Sequence, residues 1–546
     1  MTKKVEYITA VADFETDPFL HGRKPEPFSC GFYDGDEYIE FWGKDCAKEM
    51  MAYISKLKRP RRIYMHNGGK FDFFYIIEYL ENPIRIINGR IVSAKFGKHE
   101  LRDSYAIIPV PLKAYEKDDI AYWKFEARCR EKYKSEILDY LKKDCLYLYD
   151  LVSAFVKRFG PKLTIGGTAI STLETMHDFP HGNQEHDQDF RQFYFGGRVE
   201  AFKIGRFKGK FKVYDVNSMY PHAMRNFDHP IGQQYIRTNN FKMSSNGEIK
   251  GFEGAPYFVT VEGHNYGAFP TRDKNGLDFN VPFGVFNVTS HEMRVALKHG
   301  LFKPTKLIEA RIPQFYGRFK KYVDTFYAEK VASKEKGDKV NEIFAKLLLN
   351  SAYGKFAQDP TNYNDWLILP YGQWPDSDEW VLYESHELVS IFKKAVERFS
   401  YYDVCIAASI TGAARAILLD AIASSEDVYY CDTDSIICGG RFGAFVDAGK
   451  LGAWKLEADL YSIAIAGKKL YAGRGVDTKG RPIEKIASKG IKATALQIEK
   501  MAGGATITWK SQAPNFKFDG STKFVVRKAR SKNCMKKVDA IKICVL

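Results

Sequence analysis

The sequence predicts a multidomain protein that joins an α/β region to an α+β region. Three observations carry that prediction. At 546 residues and 45% apolar content the chain can bury several cores or one large multi-lobed one. Its first 160 or so residues place apolar strand-like runs beside a long helix of period 3.6. The remainder mixes short strands, Gly/Asn/Asp turns and two strong helices.

In the first region, strands are expected from Tyr7 to Phe14 and from Arg62 to His66. A helix follows from about Ser135 to Phe159, with Ile137, Leu141, Leu148, Val152 and Phe155 on one stripe. A Gly-rich passage (Thr164 to Gly167) and a stretch rich in His, Gln and Asp (His177 to Gln192) then mark the expected domain boundary. Farther on, helices are expected at Val340–Phe356 and Ile406–Ser424. The basic end, RKARSKNCMKK, reads as a solvated or DNA-facing edge, or as a frayed tail.

Net charge is +15, from 82 Lys and Arg against 67 Asp and Glu, which favours a polyanionic partner. The 15% aromatic content suits stacking on bases. No apolar run is expected to be long enough to span a bilayer, and the opening MTKKVEYITAVADFE does not resemble a signal peptide, so a soluble cytoplasmic protein is expected. The nine cysteines include no C-x-x-C pair, which argues against zinc ribbons and disulfide frameworks; Cys431 and Cys438 read as buried filler.

Two sets of carboxylates carry chemistry. Asp13 and Glu15 lie two apart on a strand and so share a face, where like charges are costly unless a cation binds between them. Asp72 follows in HNGGKFDFF, and Asp144 sits four residues after Tyr140 on the expected helix. Four such acids can converge on two Mg²⁺ ions to cleave a phosphodiester, with Tyr140 positioning the attacking water. Taken singly, each acid is more simply a solvated surface residue.

The second set begins with VYYCDTDSII, an acidic hairpin tip bearing Asp432 and Asp434. Its partner is Asp215 in KVYDVNSMYP, at the end of another apolar strand. Asp215 and Asp434 can hold two cations for in-line attack of a primer hydroxyl on an α-phosphate, and Asp432 shapes the pocket or binds metal more weakly. In KLLLNSAYGKF, Lys346, Asn350 and Tyr353 fall on one polar stripe of a helix. Lys346 is expected to neutralise the incoming triphosphate and Tyr353 to stack near the nascent base pair.

In order, D-x-E, N-x-x-x-F-D, Y-x-x-x-D, Y-x-G-G, D-x-x-S-ϕ-Y-P, K-x-x-x-N-S-x-Y-G, Y-x-D-T-D-S and K-x-Y resemble the motifs of family B DNA polymerases from residue 13 to about 500. The resemblance implies an RNase H-like 3′–5′ exonuclease domain followed by a right-hand polymerase of palm, fingers and thumb. It further implies that Asn67 and Phe71 hold a frayed 3′ end, with Ser104 and Lys117 assisting. The middle exonuclease motif has one more residue between Asn67 and Asp72 than the phage enzymes have, and Tyr105 stands where leucine is commoner. On the polymerase side, Tyr220 would be the steric gate against a ribose 2′-OH, the Val216 carbonyl a metal ligand, and Ser218 a neighbour of nucleotide or template. Tyr194, Gly196, Gly197, Thr433, Lys469 and Tyr471 would contact DNA. Two Mg²⁺ per site are implied, with Mn²⁺ as a substitute.

Spacing refines the branch. Asp215 and Lys346 are 131 positions apart, and Asn350 and Asp432 are 82 apart. These gaps resemble those of the protein-primed phage and linear-plasmid branch, with two inserted subdomains. The expected division is exonuclease 1–165, linker 166–200, palm 201–225, first insertion 226–325, fingers 326–357, second insertion 357–400, palm 401–465 and thumb 466–546. The first insertion would contact a separate terminal protein, and the second would give processivity and strand displacement. The expected partners are primer-template DNA, dNTPs and that terminal protein, for a monomeric enzyme encoded by a virus or plasmid. The alternatives are a compact polymerase that starts from nucleic-acid primers, or a DNA-binding accessory protein whose catalytic residues have decayed.

Overall fold

The computed structural model describes residues 5–112, 119–179, 184–274, 276–396 and 403–531. The N-terminal region is built on strand Ile8–Thr16, parallel to Arg61–Met65 through Val11↔Tyr64 and antiparallel to Pro27–Tyr33. Helix α1 (Cys46–Lys56) covers one face and α2 (Lys134–Phe159) the other. Strand alternation decides which residues meet which helix. Ala10, Ala12 and Phe14 pack in the cluster that holds Met50, Met51 and Ile54 of α1. Val11 packs with Leu141, Cys145 and Leu148 of α2, so Asp13 and Glu15, on Val11's face, look toward α2.

The described parts of the stretch expected as a linker are folded. Thr164 caps α3 (Ile165–Glu174), its hydroxyl accepting from the Gly167 N–H at 3.1 Å. Ala169, Ile170 and Leu173 bury the inner face, so the glycines start a helix rather than a loop. Helix α4 (Gln184–Arg191) follows, and Phe190 and Phe193 are fully buried. These two aromatics anchor a run whose polar letters suggested a boundary.

A seven-stranded antiparallel sheet forms the centre of the second region, with strand Gly205–Val216 between Ser435–Cys438 and Trp454–Gly467. Helix α5 (Met219–Asn226) continues from its end. The stretch expected as the first insertion contains a four-stranded sheet with helix α6 (Ser290–Lys298). The expected fingers are two antiparallel helices, α7 (Lys320–Lys336) and α8 (Lys339–Phe356), turning at Gly337 with φ 73°. They begin at residue 320 because no breaker interrupts the apolar stripe Tyr322, Val323, Phe326. Helix α9 (Val404–Ser424) is the core helix and α10 (Ala495–Ala502) lies in the last region.

The second insertion does not stand alone. Its strands Asn364–Pro370, Val381–Ser385 and Val389–Ala395 extend the N-terminal sheet to ten strands through Trp366↔Ile84. The C-terminal hairpins close on the same place: Phe516 packs on Phe71 and Phe74, and Phe518 on Phe74 and Tyr383. The expected palm–thumb division at 466 falls inside a continuous sheet, because Leu470–Asp477 and Pro482–Ser488 keep pairing after a tight turn at Lys469 (φ 55°).

One expectation about membranes needs correcting. Among the described residues α9 is long and apolar enough to cross a bilayer, but 89% of its apolar window is buried in the protein. Its apolar surface is satisfied by the core. Cys431 and Cys438 are buried free thiols, as filler would be.

Candidate active sites

The first site forms where α2 crosses the strand Ile8–Thr16. One ligand oxygen each from Asp13, Glu15 and Asp144 lie within 4.8 Å of one another. Asp72 opens a 3₁₀ turn (Asp72–Tyr75) beside them and is 3% exposed. Burial pushes its carboxyl well above the usual range, and the charges of Asp13 and Asp103 push it further. Tyr140, one helical turn before Asp144, is buried, and burial followed by the Asp144 and Glu15 charges holds its phenol protonated. A protonated phenol can donate to, or orient, a water at the carboxylates.

Asn67 takes a left-handed conformation (φ 65°) ahead of a glycine pair. Gly69 is obligatory, since a Cβ there would lie 1.9 Å from the Ile91 carbonyl oxygen. Phe71 is half-buried, its ring 5.3 Å from Phe19 and 5.5 Å from Tyr75. Ser104 departs from its expected place on the strand-binding face. It is fully buried, and its hydroxyl bonds His66 Nδ1 at 3.0 Å and the Met65 carbonyl at 3.4 Å. The side chain faces inward because it ends the strand His99–Asp103 beneath the glycine turn. Tyr105 is the more exposed neighbour, against His66. Lys117 lies outside the described residues.

In the second site the backbone fixes the acids. Ser435 pairs with Asp215, the Val216 N–H donates to the Asp434 carbonyl at 2.8 Å, and Thr433 turns the hairpin tip with φ 59°. Burial, then the charges of Asp215, Asp432 and Glu457, push the Asp434 carboxyl up to about 6. Burial likewise raises Asp215, with Lys455 at 3.2 Å pulling the other way. Carboxylates crowded this way fit divalent cations. Lys469 faces Asp432, with Nζ 2.5 and 2.7 Å from its oxygens, and its N–H donates to the Tyr430 hydroxyl at 2.8 Å. Tyr471 is also inward, 7% exposed with its ring 4.8 Å from Tyr430. In this structure Lys469 and Tyr471 thus brace the hairpin.

Above the acids, the rings of Tyr220 and Tyr353 stack at 4.1 Å and 1°. Lys346 and Asn350 are exposed on α8. A Cβ on Gly197 would meet Thr433 Cγ2 at 3.0 Å and the Tyr220 hydroxyl at 3.1 Å, which ties the Y-x-G-G turn to both polymerase motifs. Gly196 lends its carbonyl to Arg415 at 3.1 Å, and Tyr194 lends its own to Arg272 at 2.7 Å.

Sequence reasoning missed several residues. Lys330 on α7 donates to Ser218, itself left-handed (φ 56°), at 3.2 Å. Burial and the nearby positive charges of Lys346 and Lys455 lower its ammonium pKa, so three cations face one place. Glu457 and Lys455 stand two apart on the strand next to Asp215. Buried Arg415 pairs with Glu292 at 2.7 Å and reaches the Phe195 and Gly196 carbonyls. The Y-A-E-K run before K-x-x-x-N-S-x-Y-G was the available signal for Lys330, and Arg415 on a mostly apolar helix was the signal for a buried pair.

Comparison with known proteins decides the family. Over 96% of this chain and 98% of its own length, the DNA-directed DNA polymerase of Enterobacteria phage PRD1 is 43% identical to it. The chain belongs to the phage-type, protein-primed family B DNA polymerases. Residues 112–373 match the family described as DNA polymerase type B, organellar and viral. The DNA polymerase of Bacillus phage phi29 is 25% identical over 84% of this chain and 85% of its own. The fold agrees with solved phi29 DNA polymerase structures. One of these, complexed with primer-template DNA and incoming nucleotide, gives TM-score 0.72 at 20% identity, covering 96% of this chain and all of that one. A family B DNA-directed DNA polymerase of viral type is thus established.

Proposed function

We propose that this polymerase copies a template with 3′–5′ proofreading, starts from a separate terminal protein and displaces the strand ahead. The observation that carries the reading is the presence of two separate carboxylate clusters, one under α2 and one at the Asp432–Asp434 hairpin. Asp215, the Val216 carbonyl, Asp432 and Asp434 would hold two divalent cations in one cluster, and Asp13, Glu15, Asp72 and Asp144 two in the other. Such ions, Mg²⁺ by the oxygen-only donor set, acidify the attacking oxygen and neutralise charge on the leaving one.

The chain's own residues supply the rest. Lys330 and Lys346 neutralise the triphosphate, and the Tyr220–Tyr353 wall packs against sugar and base. Tyr220 excludes the 2′-OH. Lys469, which pairs with Asp432, and Lys455, which pairs with Asp215, would also offer their charge to the DNA backbone. In the exonuclease, Phe71 stacks on the frayed end, Asn67 holds it and Tyr140 orients water. Contacts of Phe516 and Phe518 with the N-terminal domain and second insertion support a closed path around DNA, hence processivity and displacement.

The test is a primed single-stranded circle with dNTPs and Mg²⁺, without helicase or clamp. Products many times the circle's length support the reading; products that stop at one circuit remove strand displacement from it. Protein priming is tested with co-encoded small proteins and a labelled dNTP. Failure to label any of them leaves an enzyme that uses nucleic-acid primers.

A further inference from the structure

His186 meets Asp403 and Cys405, 217 and 219 positions later in the chain, in the interior and outside both carboxylate clusters. His186 projects from α4, and Asp403 and Cys405 stand at the N-terminal end of α9. All three are buried: Asp403 is 1% exposed and Cys405 fully enclosed. His186 Nε2 lies 3.1 Å from Asp403 Oδ1 and 3.3 Å from Cys405 Sγ, and Sγ lies 2.6 Å from the same Oδ1. Nε2 and Sγ therefore crowd onto one oxygen, while Asp403 Oδ2 has no hydrogen-bond partner among the described residues. A buried carboxylate oxygen left unpartnered costs on the order of 1–3 kcal/mol, more if charged. The hydroxyl of Tyr235, on the first insertion's sheet, points at Sγ from 2.9 Å.

We propose that these three residues form a binding site for one Zn²⁺ ion. Imidazole, thiolate and carboxylate are the donor set that zinc accepts and Mg²⁺ does not. The charges also balance. A dication with one thiolate, one carboxylate and a neutral imidazole has zero net charge, which minimises the cost of burial. On binding, the Cys405 thiol loses its proton to solvent, His186 ligates through Nε2, and Asp403 uses an oxygen now lacking a full complement of partners. The Asp403–Cys405 contact opens to roughly 3.5 Å, as tetrahedral zinc requires, His186 sits within reach already, and a water molecule takes the fourth position. Tyr235 then donates to the ligating sulfur, an outer contact of the kind that fixes metal ligands. The ion joins α4, which follows the N-terminal domain, to the start of α9, whose far end leads into the Asp432 hairpin. Its role is to hold the frame of the polymerase site, not to react.

The full-length protein, purified without chelator and dialysed against Mg²⁺ buffer, is assayed for metal by mass spectrometry. About one zinc per chain is expected, and a near-total loss in Cys405→Ser and His186→Ala. Because those variants can fail to fold, two measurements use wild type. In saturating Mg²⁺, which already fills the carboxylate clusters, adding Zn²⁺ to protein stripped by a zinc-selective chelator raises the melting temperature further. Adding Co²⁺ instead gives the near-ultraviolet thiolate-to-cobalt absorption band. Protein without zinc that shows neither the thermal shift nor the cobalt band overturns the proposal, and leaves only a hydrogen-bonded cluster.

Discussion

Replacing Asp434 with asparagine should stabilise the metal-free enzyme while ending synthesis. The raised carboxyl pKa is the reason. An ordinary aspartate titrates near 3.8, and burial together with crowding by Asp215, Asp432 and Glu457 lifts Asp434 to about 6. Between those values the folded chain binds a proton that the unfolded chain has released. The resulting stability is fully present below about 3.8 and is lost as pH rises through about 6. A shift of roughly two units corresponds to about 3 kcal/mol, a ceiling because the site relaxes and admits water. The asparagine amide carries no charge, so the variant escapes the penalty. In EDTA at pH 8, thermal or denaturant unfolding should show the Asp434→Asn variant more stable by about 1–3 kcal/mol, the gap closing near pH 4. Mg²⁺ should narrow the gap at pH 8 by stabilising wild type alone. A variant equal or inferior to wild type at pH 8 in EDTA would refute the claim that the acids repel one another without cations.

Three other outcomes follow from particular contacts. Gly197→Ala forces a methyl against Thr433 and the Tyr220 hydroxyl, at a cost of about 1–3 kcal/mol, so primer extension should drop while exonuclease rate holds. Arg415→Met leaves Glu292 buried without its cation, so unfolding should be easier by about 3–5 kcal/mol, read by denaturation; the Glu292→Gln, Arg415→Met pair should recover part of that. Lys330→Met removes one of the cations facing Ser218, so KM for dNTP should rise about tenfold or more with smaller effect on degradation, measured by steady-state extension.

The carboxylates and their strands were legible because period-two alternation and acidic strand ends are local signals. Asp13 and Glu15 share a face for the same reason that Val11 meets α2. The three expected helices, α2, α8 and α9, likewise declared themselves through their apolar residues. What sequence could not show was pairing between distant parts. Nothing local says that Trp366 joins the sheet of Ile84, that Phe516 rests on Phe71, or that Lys330 faces Ser218. The polar stretch before Phe193 misled because two phenylalanines, not its many polar letters, decide its burial. The inward orientation of Ser104 was hidden for a similar reason: it is fixed by Met65, at the end of another strand, and by His66, which follows it.

In the proposed mechanism two distant pockets of acids run two reactions independently. One labelled primer-template incubated with Asp434→Ala and with Asp13→Ala, in Mg²⁺, with and without dNTPs, separates them. Asp434→Ala should shorten the primer but never lengthen it, and Asp13→Ala should lengthen it but never shorten it. Loss of both activities in either folded variant, or retained extension in Asp434→Ala, would contradict that mechanism.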